Sequence, residues 1–514
     1  MTGFDILEQQ SEKKNSKIIL GLDPDDSMRN AIRRGGGLEA YLKSLIDQTQ
    51  EYVIGVKANL AFYERSAYRR SILKQVLGYA ASKYGLVTIL DAKRGDIEAT
   101  QTAYAQADKK NFNPNIVTLS PYMGEDVVKP YLDLDPETCA FITVATSNQS
   151  ARELQDKFTE GLYYYIQVAL AAMDWSNNKR IGYVVGSTKP DAIKNIRMIE
   201  KEFNHNPAPV LAPGFGQQNG DLNFVRHAGE NTYYPISSGL TKEDRLKGLT
   251  PAEAAKAWRD KVNEELANVV GTPSLIQFMV DKLIESALIT VQKDPDKTKW
   301  HLLSSGLEIF GKNNIEFTAE MSDEEKQEAI RKALDAGIIT EEHLGEIFLN
   351  LRDLVGEPET GRLMAFLYTK AIKESGVEFD NIASIAYGAI DTAVMVKDYM
   401  NQPGNIVRKE GSEATHNDVL GKLEKGSRVI MIEDVTTTAN SLIKKVEKLR
   451  KNYGVIITDA FVFCKREEKS EKTCQEHGIT LHYITDMPTL KRYIANSGET
   501  SDGVEKCPAT AMVA

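Results

Sequence analysis

The sequence predicts an α/β protein in two parts, a (β/α)8 TIM barrel over residues 1–270 and a separate α/β domain with a helical insertion or hood over 271–514. Three observations predict it. Through the first half, short apolar runs recur at intervals of roughly thirty residues, each followed by a helix-compatible stretch, which is the alternation of a parallel barrel. From about Gly271 that alternation gives way to long amphipathic runs, and beyond residue 380 apolar strands return at a spacing suited to a parallel sheet. A chain of 514 residues is also too long for one core.

In chain order, the barrel strands are expected at 18–23, 53–59, 86–93, 116–121, 140–146, 181–187, 210–214 and 233–238. Amphipathic helices are expected between them, as at 40–53 and 67–83, with a closing helix over 251–270. Residues 273–376 read as mostly helical, with long runs at 274–291 and 323–350. Strands follow at 382–387, 405–408, 429–433, 455–463 and 479–484, with a helix over 438–452 between two of them. The polar residues 490–514 are expected to fray.

With 42% hydrophobic and 26% charged residues, the composition is that of an ordinary soluble globular chain. A net charge of -10 and the lack of a long basic run argue against a nucleic acid polymer as partner, while leaving room for a local phosphate pocket. The first residues lack the apolar core of a signal peptide, and no apolar stretch is long enough for a bilayer, so no membrane association is expected. Cys139, Cys464, Cys474 and Cys507 have no metal-ligand spacing, which fits a reducing cytosol and a cytoplasmic location.

Chemistry concentrates at the carboxyl ends of the expected barrel strands. The third strand runs into Leu90-Asp91-Ala92-Lys93-Arg94-Gly95-Asp96-Ile97, where Asp91 and Lys93, two apart on extended chain, point to one side. A strand-end salt bridge would explain that stretch alone. Around the same rim, however, stand Asp23, Lys57, Asn59, Thr146, Ser147, Asn148 and a glycine-rich turn containing Gly214, Gly216 and Gln218 that can offer N–H groups to a phosphate. Polar residues converging from at least five strands make a site.

The ordered set Gly21-Leu22-Asp23-Pro24, Lys57-x-Asn59, Asp91-x-Lys93-x-x-Asp96-Ile97, Thr146-Ser147-Asn148 and Pro213-Gly-x-Gly-x-Gln218 resembles orotidine 5′-phosphate decarboxylase, over almost the whole first half. The resemblance implies cofactor-free loss of CO2 from orotidine 5′-phosphate to give UMP. It implies an alternating network of Lys57, Asp91, Lys93 and Asp96 as the catalytic set, with Asp96, Ile97 and Thr100 reaching into the site of a dimer partner. By the same resemblance Asp23 and Lys57 face the ribose hydroxyls, Ser147 the pyrimidine, and Gly216 and Gln218 the phosphate, with Asn59 a further substrate-binding residue. Such a site must stabilise a carbanion electrostatically, by the ~8–23 kcal/mol that enzymes typically contribute or more. Asp91 would stand beside the departing carboxylate, and Lys93 would supply the proton, while Lys57 and Asp96 keep that pair charged. Ser238 stands where the family usually has a phosphate-binding arginine, and Asn219 where a second glycine is usual; Arg226 is a candidate substitute, although an arginine on a surface helix is the favoured reading of it.

In the second half, Arg428–Ser441 reads as an apolar strand ending in Glu433-Asp434, then a turn of Thr436, Thr437 and Thr438 opening a helix that carries Ser441. Acids beside a helix start suit a ribose diphosphate, although strand-ending acids and capping threonines would look the same. With Arg408-Lys409-Glu410 upstream and Tyr387-Gly388 before it, the order resembles orotate phosphoribosyltransferase, which implies phosphoribosyl diphosphate held by Arg408, Lys409, Glu433, Asp434, Thr436, Thr437, Thr438 and Ser441, orotate as co-substrate, and Mg2+. The motifs are partly eroded: Ala439-Asn440 replaces a glycine pair, Ser412 an expected lysine, His416 is displaced, and Leu303–Gly306 lacks the lysine of the family's first loop. The two resemblances together are similar to bifunctional UMP synthases of inverted order, assembled as homo-oligomers. Alternatives are a transferase-like domain that only oligomerises or senses nucleotide, a metal-dependent sugar-phosphate relative of the barrel, and an inactive scaffold.

Overall fold

The structure is a computed structural model. It describes residues 1–159, 162–175, 179–215, 220–286, 289–291, 301–302, 309, 312–316, 321–338, 344–345, 347–349, 351, 354, 357–385, 389–407 and 419–499. The chain divides into two compact units, Met1–Thr159 with Tyr163–Ser274, and Glu160–Leu162 with Leu275–Ala514.

The first unit is a closed barrel of eight parallel strands: β1 (Ile18–Gly21), β2 (Gly55–Asn59), β3 (Val87–Arg94), β4 (Ile116–Leu119), β5 (Cys139–Ala145), β6 (Ile181–Val185), β7 (Val210–Leu211) and β8 (Thr232–Ile236). The ring closes where β1 pairs with both β2 and β8. Every residue of β1, β4, β6 and β8 is buried, as expected where helices cover the outside and side chains fill the inside. All eight expected strands are present, with ends shifted by a few residues. The seventh is shortest, because Pro213 has no N–H to extend its ladder. The outer helices include Leu38–Thr49, Ala67–Tyr84 and Pro251–Leu266, the last opened by a Thr250/Glu253 capping box.

The amino-terminal helix Gly3–Lys14 was not expected. Thr2 and Asp5 form a capping box at its start, and Phe4 and Leu7 join a cluster with Ile19, Ile54, Val87, Ile116, Cys139 and Phe141. Glycine is required at position 3, since a Cβ there would stand 2.4 Å from the Asn115 carbonyl oxygen. This helix therefore plugs the amino-terminal mouth and leaves chemistry to the opposite one.

The second unit holds a six-stranded sheet made of β9 (Asn381–Ile385), β10 (Gly404–Val407), β11 (Val419–Leu420), β12 (Arg428–Thr436), β13 (Ile456–Lys465) and β14 (Thr480–Asp486). The order across the sheet is β11-β10-β9-β12-β13-β14, parallel except for the short edge strand β11, which was not expected. The helix Asn440–Tyr453 buries Leu442, Ile443, Val446 and Leu449 against the sheet core.

Two long helices expected upstream are shorter. The run 274–291 is helical only over Leu275–Glu285, and Ile289–Val291 pairs antiparallel with Ile347–Leu349, as its β-branched residues favour. The run 323–350 stops as a helix at Asp335; Gly337 then takes a left-handed φ of 66°, a frequent helix terminator.

A buried ion pair ties the outer helix Pro190–Glu202 to the barrel. Arg197 bonds Glu200 at 2.7 Å and donates to the carbonyls of Ala208 and Ala228, while Glu200 accepts from the Ala208 N–H. Both side chains are almost fully buried. Arg197→Met, which strands the Glu200 carboxylate, is expected to destabilise the barrel by about 3–5 kcal/mol; urea unfolding followed by near-ultraviolet circular dichroism would measure it, and a loss under about 1 kcal/mol would contradict the role given to this pair.

Candidate active site

The open mouth of the barrel contains a cavity of about 520 Å³, the size of a small-molecule site. Its lining includes Asp23, Asp25, Lys57, Asp91, Lys93, Thr118, Ser147, Gly186, Ser237, Ser238 and Lys242.

At one side four charged groups form a chain. Lys57 Nζ lies 2.9 Å from Asp91 Oδ2 and 3.6 Å from Asp23 Oδ2, and Lys93 Nζ lies 2.5 Å from Asp91 Oδ1. Register builds the chain: Gly21 of β1 sits beside Lys57 of β2, and Asn59 of β2 beside Asp91 of β3. Asp23, just past β1, accepts from the Asn59 N–H at 3.0 Å. Lys57 and Asp91 are buried, whereas the Lys93 side chain is 45% exposed.

Burial alone would push the Lys57 ammonium down and the Asp91 carboxyl up. For Lys57 the fields of Asp23 and Asp91 outweigh burial and raise the pKa above that of ordinary lysine. For Asp91 the two ammonium groups outweigh it and hold the carboxyl well below the usual carboxylate range. Both groups are therefore charged at neutral pH.

The Asp91–Lys93 contact is not a simple result of strand alternation. Lys93 takes a left-handed φ of 48°, costly for a residue with a Cβ, inside an irregularity where three residues of β3 oppose one of β4 between the Leu90–Val117 and Arg94–Leu119 pairs. Thr118 of β4 holds it. Its hydroxyl donates to Asp91 Oδ1 at 2.8 Å and accepts from the Lys93 N–H at 3.0 Å. Sequence reasoning missed Thr118; its only signal was a hydroxyl on the strand beside the charged one.

The other expected residues separate. Ser147 lines the cavity, against Gly186, where a Cβ would come within 3.0 Å of the Ser147 nitrogen. Ser238 lines it as well, and is buried. Asn59 does not; its side chain accepts from the Ala61 N–H and caps a short turn. Asp96, Ile97 and Thr100 lie outside the lining, with Asp96 accepting from the Ile97 N–H and Ile97 61% exposed. Asp96 thus does not close the alternating network within one chain; Asp23 takes the place beside Lys57. Gly216 and Gln218 fall outside the described residues. Arg226 is no substitute cation in the cavity: it bonds Glu265 at 2.7 Å and is absent from the lining. The cation at that end is Lys242, missed because it lies beyond the expected strand.

In the second unit, Glu433 and Asp434 stand half-buried at the carboxyl end of β12, next to β9, from which the chain leaves to β10 on one side and returns to β12 on the other. Such a switch point is where open parallel sheets bind ligands. Tyr368 donates its hydroxyl to the Glu433 carbonyl at 2.7 Å, and Asp434 accepts from the Val435 N–H. Thr436 is buried and Ser441 exposed, with Thr437 and Thr438 between the strand and the helix. Thr438 lies before the helix, which starts at Asn440; its cap residue is Ala439, with a left-handed φ of 61° and no capping side chain. Arg408, Lys409, Ser412, His416, Tyr387-Gly388 and 303–306 lie outside the described residues. Glu433 and Asp434 are consecutive on β12 and so leave opposite faces of the strand, which places one carboxylate on each side; one is enough for Mg2+ when substrate phosphates and water supply its other ligands.

Comparison with known proteins gives three findings. The family model described as Orotidine 5′-phosphate decarboxylase / HUMPS family matches residues 16–247. A Flavobacterium johnsoniae protein named orotidine 5′-phosphate decarboxylase is 33% identical over 270 residues, 51% of this chain and 97% of that relative, and a Nostoc protein named bifunctional enzyme PyrF/PyrE is 25% identical over 512 residues, 98% of each chain. Among solved structures, that of Leishmania donovani UMP synthase is 26% identical, covers 97% of this chain and 96% of that one, and has a TM-score of 0.45.

The depressed pKa of Asp91 fixes the sign of a pH effect. A carboxyl that titrates lower in the folded than in the unfolded chain stabilises the fold above its unfolded value of about 4, and that stabilisation is lost as pH falls below it. Asp91→Asn is therefore expected to lower the urea midpoint of the barrel at pH 7, with the gap to wild type narrowing between about pH 4 and pH 2. A gap independent of pH would contradict the charge assignment.

Proposed function

The barrel belongs to the orotidine 5′-phosphate decarboxylase family, and from that premise we propose that this chain makes UMP in two steps. Orotate and phosphoribosyl diphosphate give orotidine 5′-phosphate in a transferase-like domain assigned to 271–514; the barrel, assigned to 1–270, then releases CO2. The observation that carries the decarboxylase step is the chain Asp23–Lys57–Asp91–Lys93 in one cavity. The Nostoc relative, matched from end to end, supports the pairing of two activities.

The chemistry follows from the charges. A substrate carboxylate placed against Asp91 meets a like charge that Lys57 and Lys93 keep ionised. Loss of CO2 removes that repulsion and leaves an electron pair on the ring carbon. Lys93, the more exposed ammonium, can then face the carbanion and give it a proton. No cofactor enters this step. Thr118 fixes both partners, so it positions rather than reacts. Asp23 and Lys57 suit the ribose hydroxyls, and Ser147 the pyrimidine edge.

In the second domain Glu433 and Asp434 would face the ribose hydroxyls, and one of them could supply a carboxylate to Mg2+, whose charge would offset that of the diphosphate; Thr436, Thr437, Thr438 and Ser441 would hold the 5′-phosphate, with Arg408 and Lys409 at the diphosphate. We also propose a homodimer at least, because Asp96, Ile97 and Thr100 stand outside their own cavity where a second copy can use them. A cytoplasmic location is supported by the buried free thiols of Cys139, Cys464 and Cys474.

Assaying the half-reactions separately tests this reading. Decarboxylation should survive a chelator, and orotate-dependent diphosphate release should require Mg2+; a chelator that abolishes decarboxylation would point to a metal-dependent barrel instead. Lys93→Ala should abolish turnover while UMP still binds, and near-normal turnover would rule the assignment out. Thr118→Val should lower kcat at least 10-fold with KM changed less than about threefold, as expected for lost positioning. An unchanged kcat would remove Thr118 from the account.

A further inference from the structure

Among the described residues that line the barrel cavity, the cations are Lys57, Lys93 and Lys242. The first two are held in the charge chain with Asp23 and Asp91. Lys242 stands apart, with Ser237 and Ser238, on the side built by the segment after β8. In TIM barrels that is the side on which phosphate groups are commonly held.

We propose that Lys242 grips the 5′-phosphate of the nucleotide, and that Asp25 is the stand-in anion that holds Lys242 when no nucleotide is bound. This rests on the decarboxylase reading for the identity of the ligand, but not for the chemistry of the contact.

The backbone that carries Lys242 is well fixed. Its N–H donates to the Ser238 carbonyl, and its carbonyl accepts from the Arg245 and Leu246 N–H groups. One residue earlier, the Thr241 carbonyl accepts from the Tyr41 hydroxyl at 2.8 Å, and the Thr241 hydroxyl donates to the Ser237 carbonyl at 3.0 Å. Gly21 at the end of β1 lets this segment approach, since a Cβ there would lie 2.5 Å from Ser237 Cβ. From this fixed base a four-carbon stem carries a single charge into the cavity.

Its present partner can release it. Lys242 Nζ lies 2.5 Å from Asp25 Oδ2, but Asp25 also accepts from the Ser27 N–H at 2.9 Å and from the Ser27 hydroxyl at 2.5 Å. If Lys242 turns to a phosphate, Asp25 keeps two donors, and a dianion replaces a monoanion at the ammonium. Arg226 is engaged by Glu265 and does not line the cavity.

Calorimetric binding of UMP and of uridine tests the assignment, with decarboxylation measured beside it. Lys242→Met should weaken UMP roughly 10- to 100-fold, the range for a hydrogen bond to a charged group, and leave uridine binding unchanged as the control for an intact site. Lys242→Arg should keep the preference for UMP. Asp25→Asn, which removes the competing anion, should tighten UMP. If Lys242→Met weakens UMP and uridine alike, or if Lys242→Met and Asp25→Asn both weaken UMP, the pair is a structural brace across the rim and the proposal is overturned. A wild-type chain that binds UMP in preference to uridine, loses that preference in Lys242→Met, and leaves orotidine 5′-phosphate unreacted would uphold the phosphate contact and overturn the decarboxylase reading alone.

Discussion

A buried lysine ammonium between two carboxylates is the constraint on which the first domain depends. Lys57 can be charged inside the barrel only because Asp23 and Asp91 flank it, and Asp91 can be charged only because Lys57 and Lys93 flank it in turn. Removing a member leaves an uncompensated charge, at a cost of about 3–5 kcal/mol for a typical buried pair. The arrangement also demands that β1, β2 and β3 be neighbours in one register, which barrel closure ensures. Fold and site are thus coupled through the same three strands.

Local strain follows from that demand. At the end of β3 Lys93 turns its ammonium onto Asp91 while its own N–H meets Thr118. The chain inserts an irregularity, puts Lys93 in a left-handed conformation, and secures it with one threonine on the next strand. Backbone strain held in place by neighbouring bonds is a recurrent property of reactive sites. Ala439 carries the same conformation in the second domain, at a helix start where a glycine would sit without cost.

The barrel was legible because its signals are local and repeated: parallel strands buried on both faces read as apolar runs, and charges at their ends mark the rim. Asp23, Lys57, Asp91, Lys93 and Ser147 were found at those strand ends, Ser238 only through the family resemblance, and all line the cavity. Thr118 was not, because it acts through Asp91, which is far away in sequence, and Lys242 was not, because it lies beyond the end of the expected strand. The helix that plugs the barrel carries two apolar anchors in twelve mostly polar residues, too faint a stripe to stand out. Between 274 and 350 amphipathic periodicity overstated helix; Gly337 and the β-branched run Ile289–Val291 were the contrary signals.

The decarboxylation rate of Asp91→Asn tests the central claim most directly. The substitution keeps the size of the side chain but removes the charge that opposes the substrate carboxylate, together with one of the two oxygens that accept from Lys57, Lys93 and Thr118. The account predicts that kcat falls at least about 100-fold, the scale seen when one preorganised electrostatic partner is lost, in a chain that still binds UMP. A kcat within threefold of wild type would contradict it.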